Sequence, residues 1–303
     1  MGSEMCIRDS RTPERLIAGL IAASILAKCG CELRGVPGFF RIDGVWCFNL
    51  EPGMLIPTRN AVGQIVALQV RRDKPSDWND YCKRTGQNKE FLRYMTISAK
   101  GLPDGVTTDI SQAHFPLGND SLDDPETAVC ITEGPLKADA AVELKGNRKM
   151  FFIALHGTSN TKTLPAIFAW LKGKGVETVF NVFDMDKVTN VNVAKAGKRV
   201  RAIAAGCGIK LAEKCWDAEY AQQKLSELNA ICCEHGIFVP TTFNVFTDLA
   251  NVSQELAKRN IRHSRVKNAD GLEEKHYWSD KTKGIDDYLL SIRTATGGEG
   301  ASA

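Results

Sequence analysis

The feature that most constrains this chain is a run of short strand-like segments alternating with helical ones across its middle. Ala128–Thr132 (AVCIT) is a continuous apolar run, the pattern of a strand buried on both faces; Met150–Leu155 reads as a second buried strand and Thr178–Phe183 as a third. Between and after them, Leu136–Leu144, Leu164–Lys172 and Val193–Ala205 carry helical spacing. Strand and helix repeating every 25 residues or so predict right-handed βαβ units on a parallel sheet. In such sheets chemistry gathers at the carboxyl ends of the strands.

Residues at those ends are acidic. The first strand runs into Glu133-Gly134 and the third into Asp184-Met185-Asp186. Residues two apart on a strand point the same way, so Asp184 and Asp186 are expected to project together, and if the two strands are neighbours Glu133 joins them at the same edge. Three carboxylates in one cleft raise each other's pKa unless a cation joins them, and a hard divalent ion, Mg2+ or Mn2+, is the expected one. Two blander roles stand beside this: Asp186 as the cap of the next helix, and Glu133-Gly134 as an ordinary turn.

Upstream, Pro13–Lys28 reads as a helix closed by Cys29-Gly30-Cys31. Short strand-like runs follow at Gly38–Ile42, Val45–Asn49, Gly53–Pro57, Ile65–Arg71 and Phe91–Ser98, with 60–63 as a turn. Between Arg59 and Lys100 there are nine Lys/Arg against four Asp/Glu, which suits either a solvated face or a groove for phosphates. Downstream, Ala218–His235 and Leu249–Asn260 look helical, the stretch from Arg262 to Lys283 is polar and basic, and Gly284–Leu290 returns to a sharp pattern. The Gly/Ala/Ser-rich tail from Thr294 predicts disorder.

Composition narrows the function classes. The 303 residues are 43% hydrophobic and 25% charged, with a net charge of +3, too mild for a polybasic binder. The apolar run from Leu16 to Ala27 is about half the roughly 20 residues a membrane span needs, and Lys28 spoils a signal cleavage site. A cytoplasmic protein with reduced, mostly buried cysteines is expected. None of the ten cysteines forms a C-x2-C pair, so no zinc ribbon or finger can be drawn. The segment 157–163 lacks the second Gly of a P-loop.

The segments Ile131–Asp139 (ITEGPLKAD), Leu155–Thr158 (LHGT) and Phe183–Asp186 (FDMD) resemble the Toprim domain shared by DnaG-type primases, topoisomerases and several nucleases. Its signature is Glu-Gly after the first strand and Asp-x-Asp after the third. The order of parts is most similar to the primases. Leu55–Asn60 and Gly63–Ala67 resemble a primase segment upstream of Toprim, as do Arg93–Ser98 and His114–Gly118. Lys283–Leu289 resembles the motif that closes the primase Toprim unit. Met185 stands where Toprim domains carry Gly, the Ala-Gly that normally follows is absent, and Gly284 stands where primases often have an acid.

The resemblance implies a plasmid- or phage-type primase core without its zinc module: an α/β Toprim (Rossmann-like) parallel-sheet domain preceded by a smaller α+β subdomain. Its expected organisation is a non-native leader (1–10), a basic subdomain (11–125), a Toprim core (126–216), a helical and polar insertion (217–282), the closing motif (283–292) and a disordered tail (293–303). Mg2+ or Mn2+ would sit on Glu133, Asp184, Asp186 and Asp286, with Glu133 as ligand or general base. Arg59, Arg71, Arg72, Arg93 and Lys137 would hold phosphates, or be solvated surface charges. Lys137 would face the metal edge if its helix starts at Pro135. Gly134 and Gly157 would allow close backbone approach, or be plain turns, and His156 reads as a polar turn residue rather than a ligand. Partners would be single-stranded DNA and nucleoside triphosphates, with a replicative helicase on another chain and no membrane. A Toprim nuclease and a non-catalytic module that binds single-stranded nucleic acid are the alternatives.

Overall fold

The computed structural model describes residues 13–49, 53–73, 93–107, 112–188, 190–214, 216, 218–240, 245–261, 265–267, 273–275 and 282–295. The leader (1–10), Phe91 and Leu92 of the fifth strand run, most of the polar stretch 262–281 and residues 296–303 lie outside them. The chain divides into two compact units, Met1–Gln112 and Ala113–Ala303.

In the first unit, α1 (Pro13–Lys28) is followed by the antiparallel hairpin β1 (Phe39–Ile42) and β2 (Val45–Phe48), then by the antiparallel sheet β3 (Gly53–Arg59), β4 (Ile65–Arg72) and β5 (Tyr94–Thr96). Asn60 closes the β3–β4 hairpin: its Oδ1 accepts the Val62 and Gln64 amides at 3.1 and 3.0 Å. The core gathers Ala23, Leu33, Phe39, Phe48 and Ile97, with the Phe39 and Phe48 rings 4.5 Å apart.

The second unit carries the parallel sheet: β6 (Ala128–Glu133), α2 (Pro135–Leu144), β7 (Met150–Leu155), α3 (Leu164–Gly173), β8 (Thr178–Asn181), α4 (Val191–Gly206) and β9 (Lys210–Glu213). The strand order is β7-β6-β8-β9, all parallel. Side chains alternate as a two-sided sheet requires. Cys130, Phe152, Ala154 and Val182 pack with Ala138, Ala141 and Val142 of α2 and with Ile285 and Leu289 of α7 (Ile285–Ala295). Val129, Ile131, Phe151, Ile153, Leu155, Val179 and Leu211 pack with Leu164, Phe168 and Leu171 of α3 and with Val200 and Ala204 of α4.

The outer edge of β7 is closed by the segment before β6. His114 exchanges both backbone hydrogen bonds with Ala154 at 2.8 Å. The Asn119 amide imitates a strand, donating to the Phe152 carbonyl and accepting the Phe152 N–H at 2.9 and 2.8 Å. The Asp120 carboxylate accepts the Met150 N–H at 2.7 Å. Alternate residues of the edge are thereby satisfied, which blunts it against pairing with another chain. This covering ties residues 113–120 to the second unit, so the division falls ahead of the expected boundary between 125 and 126.

Three elements differ from the sequence reading. β8 ends at Asn181 rather than Phe183, because the Asn181 side chain turns back to accept the Phe183 N–H at 3.1 Å. A fourth parallel strand, β9, follows α4; as an edge strand it reads KLAE, too polar to announce itself. α7 runs on to Ala295, Thr294 returning its hydroxyl to the Leu290 and Ser291 carbonyls, so the tail does not begin at Thr294. In the insertion, α5 (Ala218–Glu234) and α6 (Val245–Lys258) form a cluster of their own with Met185, and a small hairpin joins β10 (Arg265–Lys267) to β11 (Glu273–Lys275). The described cysteines are free, but only Cys47, Cys130 and Cys232 are buried, so they are not mostly buried; Cys29 and Cys31 stand exposed beyond the end of α1. No helix among the described residues is long and apolar enough to cross a membrane.

Phe168 lies fully buried under the sheet. Phe168→Ala is expected to cost about 3–5 kcal/mol, read as a lower urea midpoint at unchanged slope. A loss under ~1 kcal/mol would place that helix outside the core.

Candidate functional site

Because β6 lies between β7 and β8, its carboxyl end abuts the loop that follows β8. Glu133 closes β6; Gly134 then turns the chain, its N–H bound to the Leu155 carbonyl at 2.7 Å and its φ of +94°, a region L side chains rarely adopt. Gly157 turns the end of β7 in a similar way, with φ +87°. Pro135 opens α2 at a position where its missing N–H costs nothing.

The two carboxylates meet directly. The Asp184 backbone N–H donates to both oxygens of Glu133, at 3.0 and 3.2 Å. Lys137, one turn along α2, places its ammonium between them, bonding Glu133 Oε1 at 3.0 Å and Asp184 Oδ1. Lys283 Nζ approaches the other Asp184 oxygen at 3.6 Å. The loop carrying Asp184 is pinned from three sides. Met185 N–H binds the Lys283 carbonyl at 2.9 Å, and the buried Met185 side chain plugs the α5–α6 cluster. The buried Lys187 ammonium donates to the Asn181 and Lys214 carbonyls at 2.9 and 2.8 Å.

Burial and the neighbouring Asp184 charge push the Glu133 carboxyl up to about 8, against the pull of Lys137. Burial works against the charge of Asp184 too, but its bond with Glu133 and the two lysines hold its pKa below the ordinary value. Burial disfavours the Lys137 cation, and the two carboxylates outweigh it, raising its pKa. The pair therefore exists in this form because positive charge stands between its members.

The closing motif adds a third acid. At the start of α7, Asp287 reaches back to accept the Gly284 N–H at 2.9 Å, as a third-position acid does in a capping box. Asp286 is left to face the site, close enough to feel Lys137 and Asp184, and burial followed by the Asp287 charge raises its pKa. Its Oδ1 is buried without a hydrogen-bond partner. A Cβ on Gly284 would lie 2.2 Å from that oxygen, so the glycine leaves room for the Asp286 carboxylate.

Beside this edge, the fully buried His114 binds Asp139 of α2 through Nε2 at 2.9 Å. Burial, then the neighbouring His114, lowers the His156 pKa to about 4, so the His156 imidazole is neutral near pH 7.

Glu133, Asp184, Lys137 and Asp286 are thus brought together. Asp184 and Asp186 do not share a strand: the strand has already ended, and Met185–Val188 is a 3-10 turn. The Asp186 side chain lies outside the description, and the next helix is capped by Asn190, whose side chain accepts the Asn192 N–H. Arg59, Arg71, Arg72 and Arg93 belong to the first unit. Arg71 and Arg72 are consecutive in β4 and point to opposite faces, so they do not form one stripe. Lys283 was missed as a site residue, although it opens the closing motif. Among the described residues no three His, Cys, Asp or Glu side chains are grouped to hold a metal ion as they stand. The donor chemistry nonetheless suits a hard divalent cation: two converging carboxylates, and beside them a carboxylate oxygen with no partner.

No protein-family model and no curated protein matches the chain. Among solved structures it is similar to the Aquifex aeolicus primase (zinc-binding and RNA polymerase domains), with 14% identity and a TM-score of 0.39 over 74% of this chain and 43% of that one. It is also similar to a DNA primase domain from Pseudomonas aeruginosa, with 14% identity and a TM-score of 0.40 over 69% of this chain and 67% of that one. The chain therefore spans less than half the length of the Aquifex protein it resembles.

A raised acid pKa gives stability that is complete below the unfolded value and is lost as pH rises through the folded one. For Glu133 the window runs from 4.5 to about 8. His156, with its lowered pKa, acts in the opposite sense between 6.5 and about 4, so the difference between proteins is the informative quantity. In chelator, wild type minus Glu133→Gln should fall steadily across pH 4.5–8 in urea melts; a flat difference contradicts the buried pair. Gly284→Ala should displace the Asp286 carboxylate at a cost of about 1 kcal/mol or less, with weakened Mn2+ binding. Unchanged Mn2+ binding would remove Asp286 from the site.

Proposed function

We propose that the second unit is a Toprim-type site for nucleotidyl transfer on nucleic acid, and that the chain makes primers as a plasmid- or phage-type DNA primase core. The observation that carries this reading is the meeting of Glu133 and Asp184 at the carboxyl ends of adjoining parallel elements, with Asp286 beside them. Glu133, Asp184 and Asp286 would hold a divalent cation, Mg2+ or Mn2+. When bound, such an ion neutralises charge on a transferring phosphoryl group.

The chain's own groups supply the rest. Glu133 would serve either as a ligand or as the general base, a carboxylate oxygen taking the proton of an attacking 3′-hydroxyl. Lys137 and Lys283, already aimed at the acidic edge, offer positive charge to the triphosphate. The Asp184 backbone N–H holds the Glu133 carboxylate against the loop that carries Asp184. Single-stranded DNA is the template on this reading and nucleoside triphosphates the substrates. A helicase would act from another chain.

The test is incorporation of labelled ribonucleotides on single-stranded DNA with Mg2+ or Mn2+. Wild type should give short template-dependent products, and Asp184→Asn should lose at least about a hundredfold, in keeping with removal of a transition-state charge partner. Template degradation that the same substitution abolishes would instead assign hydrolysis. DNA binding that survives chelator and falls steeply with salt, with neither activity, would assign a binding module.

A further inference from the structure

The proposed cation would meet a place that is already taken. Lys137 Nζ lies between Glu133 Oε1 and Asp184 Oδ1, and Lys283 stands at Asp184 Oδ2. Two ammonium groups already face the two carboxyl groups, and a divalent ion would add two positive charges beside them. Among the described residues Asp286 stands beside them as a further acid.

Lys137 is also in the wrong place for its helix. It sits in the first turn of α2, a turn with no acidic residue, where the helix dipole disfavours a cation. The carboxylates hold it there, not the helix. Its side chain is 30% exposed, against 11% for Asp184, so the flexible stem has a way out to solvent.

We propose that Lys137 is a built-in competitor for the divalent cation at the Glu133–Asp184 pair: ammonium and metal ion are alternatives there, and the ion binds only as Lys137 swings away. The lysine keeps the acidic pair together in the empty site and becomes available to phosphate once displaced. This rests on the cation-site reading above and adds an order of events to it.

Free Mn2+ measured by electron paramagnetic resonance gives the test, with wild type, Lys137→Met and Asp184→Asn compared as folded proteins. Methionine keeps most of the stem and removes the charge. Lys137→Met should bind Mn2+ at least about tenfold more tightly than wild type, the size of effect expected when a like charge within a few ångströms is removed. Asp184→Asn should bind more weakly than either. Equal or weaker binding by Lys137→Met, with wild type still binding, overturns the competition and leaves the cation site intact. No binding by wild type and Lys137→Met overturns both. A second measurement needs no variant: in wild type labelled with 15N-lysine, Mg2+ should release the protected Lys137 ammonium signal into fast exchange. A protected signal unchanged at saturating Mg2+ contradicts the proposal.

Discussion

Two carboxylates side by side in a half-dry cleft must be matched by positive charge, and this requirement organises the end of the parallel sheet. Glu133 and Asp184 are brought together by strand order, then joined by a backbone hydrogen bond. Either acid alone would ionise without difficulty in water. Together and buried, one is pushed towards neutrality and the other held ionised by lysines. The surroundings supply those lysines from two directions, Lys137 from the helix after β6 and Lys283 from the segment before α7.

The rest of the second unit can be understood as holding that edge still. The buried Lys187 clamps the Asp184 loop to the ends of β8 and β9, and Met185 anchors it in the helical pair that follows. Trp216 donates from its indole to the Thr282 carbonyl at 2.6 Å and stacks on Tyr288, which fastens the closing motif to the sheet. The helical insertion thus contributes to the site through packing, far along the chain from the acids it supports.

Much of this was legible in the residues. Continuous apolar runs marked β6 and β7, because a strand buried on both faces cannot be polar. The acids at the strand ends were visible as exceptions to that apolarity. What the sequence did not disclose follows from the same physics. β9 lies at an edge and needs little hydrophobicity, so KLAE gave no signal. The chain's departure from strand geometry after Asn181 depends on one side-chain hydrogen bond, which no periodicity carries. Lys137 could be placed at the acidic edge by a helix starting at Pro135, but as a holder of phosphate and not as the partner of both acids; Lys283 looked like one of 39 basic residues, and only the convergence of α2 and the closing motif distinguishes it.

The exchange of Gly for Met at 185 and of an acid for Gly at 284 looked like losses from a motif. In the fold each has a use: Met185 fills a core, and Gly284 leaves space for the Asp286 carboxylate. The most direct test of the account is pyrophosphate release from ribonucleoside triphosphates in the presence of single-stranded DNA and Mg2+. The account predicts release that matches the internucleotide bonds formed and vanishes when the DNA is omitted. Mononucleotides cut from the DNA, with no pyrophosphate, would contradict it.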